Sequence, residues 1–176
     1  MPKSSNTSRL IVIEGLDGSG KATQAGLLAE SLTAAGTPVR RISFPDYAHK
    51  SSIPVQMYLN GEIGSLEEVN VYAASTFYTR MGLPEPGLVI YLDMDPNTSR
   101  RLLEKRYGGD ESRKDLHEAN LRYLMACRGA ALYAAEHWGW KVIRCCDGSD
   151  PYPPEQIHQA VLAEVDAWLR RQHPAE

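Results

Sequence analysis

The 176-residue sequence is short of several things, and each shortage removes a class of protein. It has three cysteines, Cys127, Cys145 and Cys146, too few and wrongly spaced for a disulfide framework or a metal set. The vicinal pair closes an apolar run and reads as strand packing. Charge of one sign is also lacking. With 19 Lys+Arg against 22 Asp+Glu the formal net charge is −3, so polymeric nucleic acid and anionic membranes have no electrostatic hold on it. No apolar run reaches the length of a bilayer span. Met1–Ser8 is short and polar, without the apolar centre of a signal peptide, and residues 1–8 are expected to be a disordered N-terminus. Internal repeats and low-complexity tracts are missing. What remains is a cytoplasmic globular protein, expected to be one domain over residues 1–176 and long enough to bury a core. A site for a polyanion in it must rest on locally arranged donors.

Apolar and turn residues alternate along the chain in a definite order. Arg9–Glu14 (RLIVIE) is a β-branched run stopping at Gly15, the pattern of a buried strand. Lys21–Ala35 is rich in Ala, Leu, Gln and Glu, with Leu27, Leu28 and Leu32 on one face, and Gly36 follows as a helix-ending residue. Pro38–Phe44 predicts a second strand. Ser65-Leu66-Glu67-Glu68 has capping-box spacing, and Leu66, Val69, Ala73, Thr76 and Phe77 then recur helically. Leu88–Asp93 (LVIYLD) predicts a third strand, and Trp140–Cys145 a fourth. Asn97–Arg106 and roughly Asp115–Glu136 read as helices. Pro154 opens a last amphipathic helix with Ile157, Val161, Val165, Trp168 and Leu169 as its inner stripe. Such alternation predicts an α/β fold with a mainly parallel sheet flanked by helices.

The chemistry is concentrated in Gly15-Leu16-Asp17-Gly18-Ser19-Gly20-Lys21-Ala22, which fits G-x-x-x-x-G-K-[ST] everywhere but its last position. A strand precedes it and a helix follows, as the motif requires. Glycines let successive amides turn inward toward phosphate oxygens. The helix start adds the positive end of its dipole, and the lysine adds a point charge for the β- and γ-phosphates. The departure is Ala22, where a hydroxyl normally meets Mg²⁺. Either Thr23 or water takes that place, although one step along a helix swings a side chain by about 100°, or the nucleotide holds the metal mostly by itself. No protein metal ligands are expected.

The stretch Gly15–Gln24 (GLDGSGKATQ) resembles the phosphate loop of thymidylate kinases. The resemblance continues through Phe44-Pro45-Asp46-Tyr47, Pro54–Glu62 (PVQMYLNGE), Tyr72–Tyr78 (YAASTFY), Gly82-Leu83-Pro84-Glu85-Pro86, Leu88–Asp93 and Asp115-Leu116-His117-Glu118. Their succession persuades more than any one of them.

The resemblance implies a three-layer P-loop kinase fold and transfer of the ATP γ-phosphoryl to dTMP, giving dTDP and ADP, with Mg²⁺ accompanying the nucleotide. It implies that Lys21 and the amides of Gly15, Leu16, Asp17, Gly18, Ser19, Gly20, Lys21, Ala22 and Thr23 hold ATP. Asp17 would orient the acceptor. Phe44 and Tyr47 would line its site, Phe77 or Tyr78 would stack on thymine, and Arg80 stands nearest to the family's phosphate clamp. Arg106 and Arg113, in a lid loop over residues 106–114, would neutralise the moving phosphoryl. Each has a structural competitor: Asp17 as a loop brace, Tyr47 as a turn residue, Phe77 and Tyr78 as core, the arginines as solvated charges. Family members are commonly dimers, so a homodimer is the expected assembly.

The family's central Asp-Arg and Asp-Arg-Tyr section has no counterpart, because Tyr78-Thr79-Arg80 runs almost directly into Gly82-Leu83-Pro84. In the family order 2-3-1-4-5 this removes the strand beside the first, leaving the sheet one short of five. Two rivals to a thymidylate kinase therefore stand: a nucleoside or nucleotide kinase with another acceptor, and a shortened nucleotide-binding homologue without transfer activity.

Overall fold

The β-branched run ahead of the first loop glycine extends as β1 (Ile11–Gly15), and the alanine- and leucine-rich segment after the loop winds into α1 (Lys21–Ala34). The structure, a computed structural model, describes residues 8–43, 46, 50–64, 85–107 and 121–172. Gly36 ends α1 as its position suggests. It takes φ +81°, its amide donates to the Thr33 carbonyl at 2.9 Å, and the Thr37 amide reaches back to Leu32 at 2.9 Å. Two otherwise orphaned carbonyls are satisfied this way.

A single turn at Lys50–Ser52 leads into the short α2 (Ile53–Leu59), with Pro54 in its first turn, where a missing amide costs nothing. Then come β2 (Leu88–Asp93), α3 (Pro96–Tyr107), α4 (Leu121–Trp138) and β3 (Lys141–Arg144). A small antiparallel pair, β4 (Cys146–Asp147) and β5 (Asp150–Pro151), precedes the closing helix α5 (Pro154–Gln172).

Among the described residues the main sheet is three strands in the order β1-β2-β3, all parallel. Register pairs Ile13 with Ile90 and Glu14 with Tyr91, so the two faces separate cleanly by alternation. One face carries Ile11, Ile13, Leu88, Ile90, Leu92 and Ile143. It is sealed by Leu28 and Leu32 of α1 and by Ile157, Val161, Val165 and Trp168 of α5. The stripe expected of the last helix is therefore the inner one, with Leu169 packed at its margin. Each such side chain, taken out of water, contributes roughly 1.5–3 kcal/mol. Two polar ties cross the same seam: Gln24 Nε2 donates to the Pro154 carbonyl at 2.9 Å, and Ser31 Oγ lies 2.9 Å from His158 Nε2.

The opposite face holds Val12, Glu14, Val89 and Tyr91 and is covered by α4. A hollow of about 350 Å³ remains there, walled by these residues with Cys127, Ala131, Trp140 and Pro86, and reaching Gly15 and Leu16.

The strand expected at Pro38–Phe44 does not form. Residues 37–43 are irregular and exposed, with Val39 41% and Ile42 57% accessible, and Phe44 lies outside the described residues. The reason is the neighbour that is lacking. A strand exists by exchanging backbone hydrogen bonds, and among the described residues β1 is the sheet's edge. In the order 2-3-1-4-5 that the resemblance implies, the three strands would take positions 1, 4 and 5. With no strand at position 3 among the described residues, the β-branched side chains of 38–43 have no ladder to join.

Expectations at residues 1–7, at the helix after Ser65, at the 106–114 lid beyond Tyr107 and at the start of the 115–136 helix lie outside the described residues.

Candidate active site

The phosphate loop is built by steric exclusion as much as by flexibility. At Gly15 a Cβ would come within 2.5 Å of Ser19 Oγ and 2.9 Å of the Leu92 carbonyl. At Gly18, φ is +80° and a Cβ would lie 2.9 Å from the Ser99 carbonyl and 3.0 Å from Leu103 Cγ. Only a residue with no side chain passes both points. Between them the Ser19 amide donates to the Leu16 carbonyl at 3.0 Å, closing a tight turn. Gly20 ends the loop at φ 92°, and α1 begins at Lys21. The first-turn amides of any helix lack acceptors within it, so those of α1 stand at the end of the loop together with the dipole's positive end.

Lys21 bends back over this turn. Its Nζ donates to the Gly15 carbonyl at 2.8 Å, the Leu16 carbonyl at 3.1 Å and Asp17 Oδ1 at 3.3 Å. An ammonium has three protons, so the loop itself occupies all of them. The side chain remains about a third exposed (34%) and that of Asp17 about half (47%), which leaves this cluster open to an entering anion.

Of the loop residues, Leu16 and Ser19 are buried, whereas Ala22 and Thr23 are exposed on the first turn of α1. Gln24, next in the motif, points inward and braces α5. Among the described residues no group of three or more His, Cys, Asp or Glu is placed to hold a metal ion.

Helix α3 presses against the loop from the side. Ser99 Oγ donates to the Asp17 carbonyl, and Leu103 abuts Gly18. Arg106 lies seven residues beyond Ser99, hence on the same helix face about 10 Å further along. It is exposed, in the helix's last turn. The other arginine of the expected lid, Arg113, lies outside the described residues, as do the acceptor-site candidates Phe44, Tyr47, Phe77, Tyr78 and Arg80. The structure therefore brings together Gly15–Thr23 with Asp17 and Lys21, and sets Arg106 on the loop-facing side of α3.

Two features escape sequence reading. At the C-terminal end of β2, beside the loop, Asp93 is gripped by Arg128 of α4. Nε reaches Oδ1 at 2.6 Å and Nη2 reaches Oδ2 at 2.9 Å. This two-pronged bond raises the guanidinium's affinity for its proton, against the opposing effect of burial. Asp93 is thus engaged and unavailable as a free carboxylate. On the hollow's wall, desolvation raises the Glu14 carboxyl from its ordinary value although part of the residue meets solvent, with Lys21 and the Gly15 backbone pulling the other way. Burial, with Asp93 nearby, pushes the Tyr91 hydroxyl up to about 12. A terminal Asp after LVIYL could have drawn attention; nothing in the sequence marks its partner 35 residues on.

No protein-family model matches the chain. The structure resembles that of thymidylate kinase from Candida albicans, with a TM-score of 0.61 at 16% identity, over 93% of this chain and 92% of that one. It also resembles deoxyadenosine kinase from M. mycoides, with a TM-score of 0.53 at 15% identity, over 89% and 98%. At such identities these likenesses establish the fold. In sequence, thymidylate kinase from Mycobacterium tuberculosis is 39% identical over 70 residues. A putative thymidylate kinase of Invertebrate iridescent virus 6 is 43% identical over 54 residues. The chain is thus similar to thymidylate kinases over part of its sequence and shares the fold of nucleotide kinases. The family likeness in sequence is partial: those stretches span 32% and 25% of the curated relatives' lengths, and 39% and 31% of this chain. Among the described residues no helix is long and apolar enough to cross a membrane.

Proposed function

We propose that this chain is an ATP-dependent nucleotide kinase that transfers the γ-phosphoryl of ATP to dTMP. The observation that carries the reading is the Lys21 ammonium held on the Gly15 and Leu16 carbonyls over a glycine turn at the start of α1. Phosphoryl transfer asks a protein mainly to position two phosphates and to stabilise spread negative charge. Lys21 does the second by exchanging Asp17 for phosphate oxygen. Asp17, once released, stands at the loop's mouth with an acceptor-only carboxylate, able to take a hydrogen bond from an acceptor's hydroxyl. Arg106, on the loop-facing side of α3, supplies further cationic charge, and Arg113 is proposed for the same duty.

Mg²⁺ is expected to enter on the nucleotide. Ala22 offers no hydroxyl, Asp93 is engaged by Arg128, and Asp17 is paired with Lys21, so among the described residues no side chains form a cage for the ion. The cytoplasm is the expected compartment and a homodimer the expected assembly.

The test is a coupled ADP-release assay with dTMP, with dUMP and without acceptor, alongside ATP binding by calorimetry. Turnover with dTMP that is lost in Lys21→Ala, together with ATP affinity, supports the proposal. Unchanged nucleotide binding in Lys21→Ala would overturn the loop assignment. A second reading, nucleotide binding without transfer, is favoured by Ala22 and by the lack of a sequence counterpart to the family's arginine-bearing central section. It predicts ATP binding with no ADP released on any acceptor.

A further inference from the structure

We infer that Ser99 of α3 is a positioning residue of the phosphate loop, setting the direction in which the loop's amides point. The inference rests on reading Gly15–Thr23 as the ATP phosphate site, and adds to it a group from outside the motif.

The peptide bond is planar. In a trans peptide the carbonyl of one residue and the amide of the next point in opposite directions. Ser99 Oγ donates to the Asp17 carbonyl, so that carbonyl is drawn toward α3. The Gly18 N–H, across the same peptide plane, is thereby turned away from α3 and toward the loop's other side. At φ +80° Gly18 has no side chain to fix that orientation, and a backbone so permissive would otherwise swing.

Three further observations make the contact a clamp. Ser99 is completely buried (0% exposed), so water does not compete for its hydroxyl. The Ser99 carbonyl and Leu103 leave no room for a Cβ at Gly18, which shows how closely helix and loop are fitted. Asp17 is held at both ends, its carbonyl by Ser99 and its carboxylate by Lys21, so the side chain can release Lys21 to a phosphate while the backbone keeps its shape.

The neighbouring residue supplies the control. Thr98 is as buried as Ser99 (1%) and sits one position earlier on α3, yet its hydroxyl donates elsewhere, to the Ser149 carbonyl at 3.0 Å in the turn between β4 and β5. Thr98→Ala cuts a buried hydrogen bond of α3 without touching the loop. Ser99→Ala cuts one that reaches it.

The experiment compares wild type, Ser99→Ala and Thr98→Ala by calorimetric titration with ATP and with adenosine, and by thermal melting. A positioning role predicts ATP affinity lower by about fivefold or more in Ser99→Ala, the equivalent of one buried hydrogen bond. Adenosine affinity should be unchanged, since adenosine has no phosphates to feel the loop. Thr98→Ala should melt earlier but keep ATP affinity within about twofold of wild type. Equal ATP affinities in the two variants, or a parallel loss for adenosine and ATP in Ser99→Ala, would overturn the inference while leaving the loop assignment intact. Failure of the wild-type chain to bind ATP at all would instead sink the assignment on which it rests.

Discussion

Asp17→Asn separates two roles of one carboxylate by the direction in which binding and turnover move. In the free protein the carboxylate takes a hydrogen bond from Lys21 at 3.3 Å, with both side chains substantially exposed. A pair so placed is worth roughly 0.5 kcal/mol, and ATP must displace it to claim the ammonium. Asp17 also sets a negative charge beside an incoming polyanion. At about 4 Å in solvent that repulsion is on the order of 1 kcal/mol per unit charge. Removing the charge while keeping the shape should therefore tighten ATP by about 1–1.5 kcal/mol, or roughly five- to tenfold. The wild-type protein bears this cost if the carboxylate serves the acceptor, and the same substitution should then lower kcat with dTMP by about 10–100-fold.

Calorimetry gives the affinity, and initial rates with saturating ATP give kcat. The gain in affinity should shrink as salt is raised toward 1 M, because exposed charges are screened there. The opposite pattern, weaker ATP together with a lower melting temperature, would refute the reasoning. It would show that Asp17 braces the turn through Lys21 and that the repulsion is negligible beside that support.

Other perturbations test the scaffold around the loop. Arg128→Ala should destabilise by about 2–3 kcal/mol, since it strands the buried Asp93, although the arginine's partial exposure softens the loss. In a chain of this size that lowers the melting temperature by roughly 5–10 °C. The double variant Asp93→Asn, Arg128→Met should recover part of it, and a double variant no more stable than the single would count against a stranded charge. Glu14→Gln carries a pH signature. Folding raises the Glu14 pKa, so the native state binds the proton more tightly and stability falls as pH climbs from the unfolded value of 4.5 through the folded one. The variant should thus melt above wild type at pH 7 and lose that advantage below about pH 4; an advantage that persists in acid would exclude desolvation as its cause. Cys145, wholly buried with its thiol pushed up to about 12, should resist a thiol reagent at pH 8 until the chain unfolds, and prompt labelling located there by peptide mapping would contradict the packing.

The parts of this molecule that were legible in sequence are those whose causes lie close together in the chain. The phosphate loop needs a strand, three glycines, a lysine and a helix start, all between Ile11 and Gln24, and each is locally determined. The closing helix needs only a 3.6-residue recurrence from Ile157 to Leu169, and the end of α1 needs only Gly36. Pro38–Phe44 shows the limit of the same method. Its Val39 and Ile42 have strand propensity, but a strand is a relation between segments, and among the described residues the segment that would stand between it and β1 is lacking. The hairpin at Asp147-Gly148-Ser149-Asp150 carried a turn signal, yet strands of two residues leave no period to detect.

The site divides along the same line. The residues of the motif could be named in advance, whereas the contacts that surround it could not. Ser99 sits in PNTSRRLLEKRY, a helix polar enough to pass for a solvated surface element, and its hydrogen bond to the loop spans 82 residues. Arg128 lies in an alanine-rich stretch whose pattern predicts only helix. A catalytic motif thus specifies which atoms can meet a phosphate, while the rigidity that makes them meet it in one geometry is supplied by residues that look ordinary. Sequence reading finds the first because spacing encodes it. The second is encoded in the packing of α3 against the loop, which is why a substitution at Ser99, rather than at Lys21, is the one that discriminates between a loop that is present and a loop that is held.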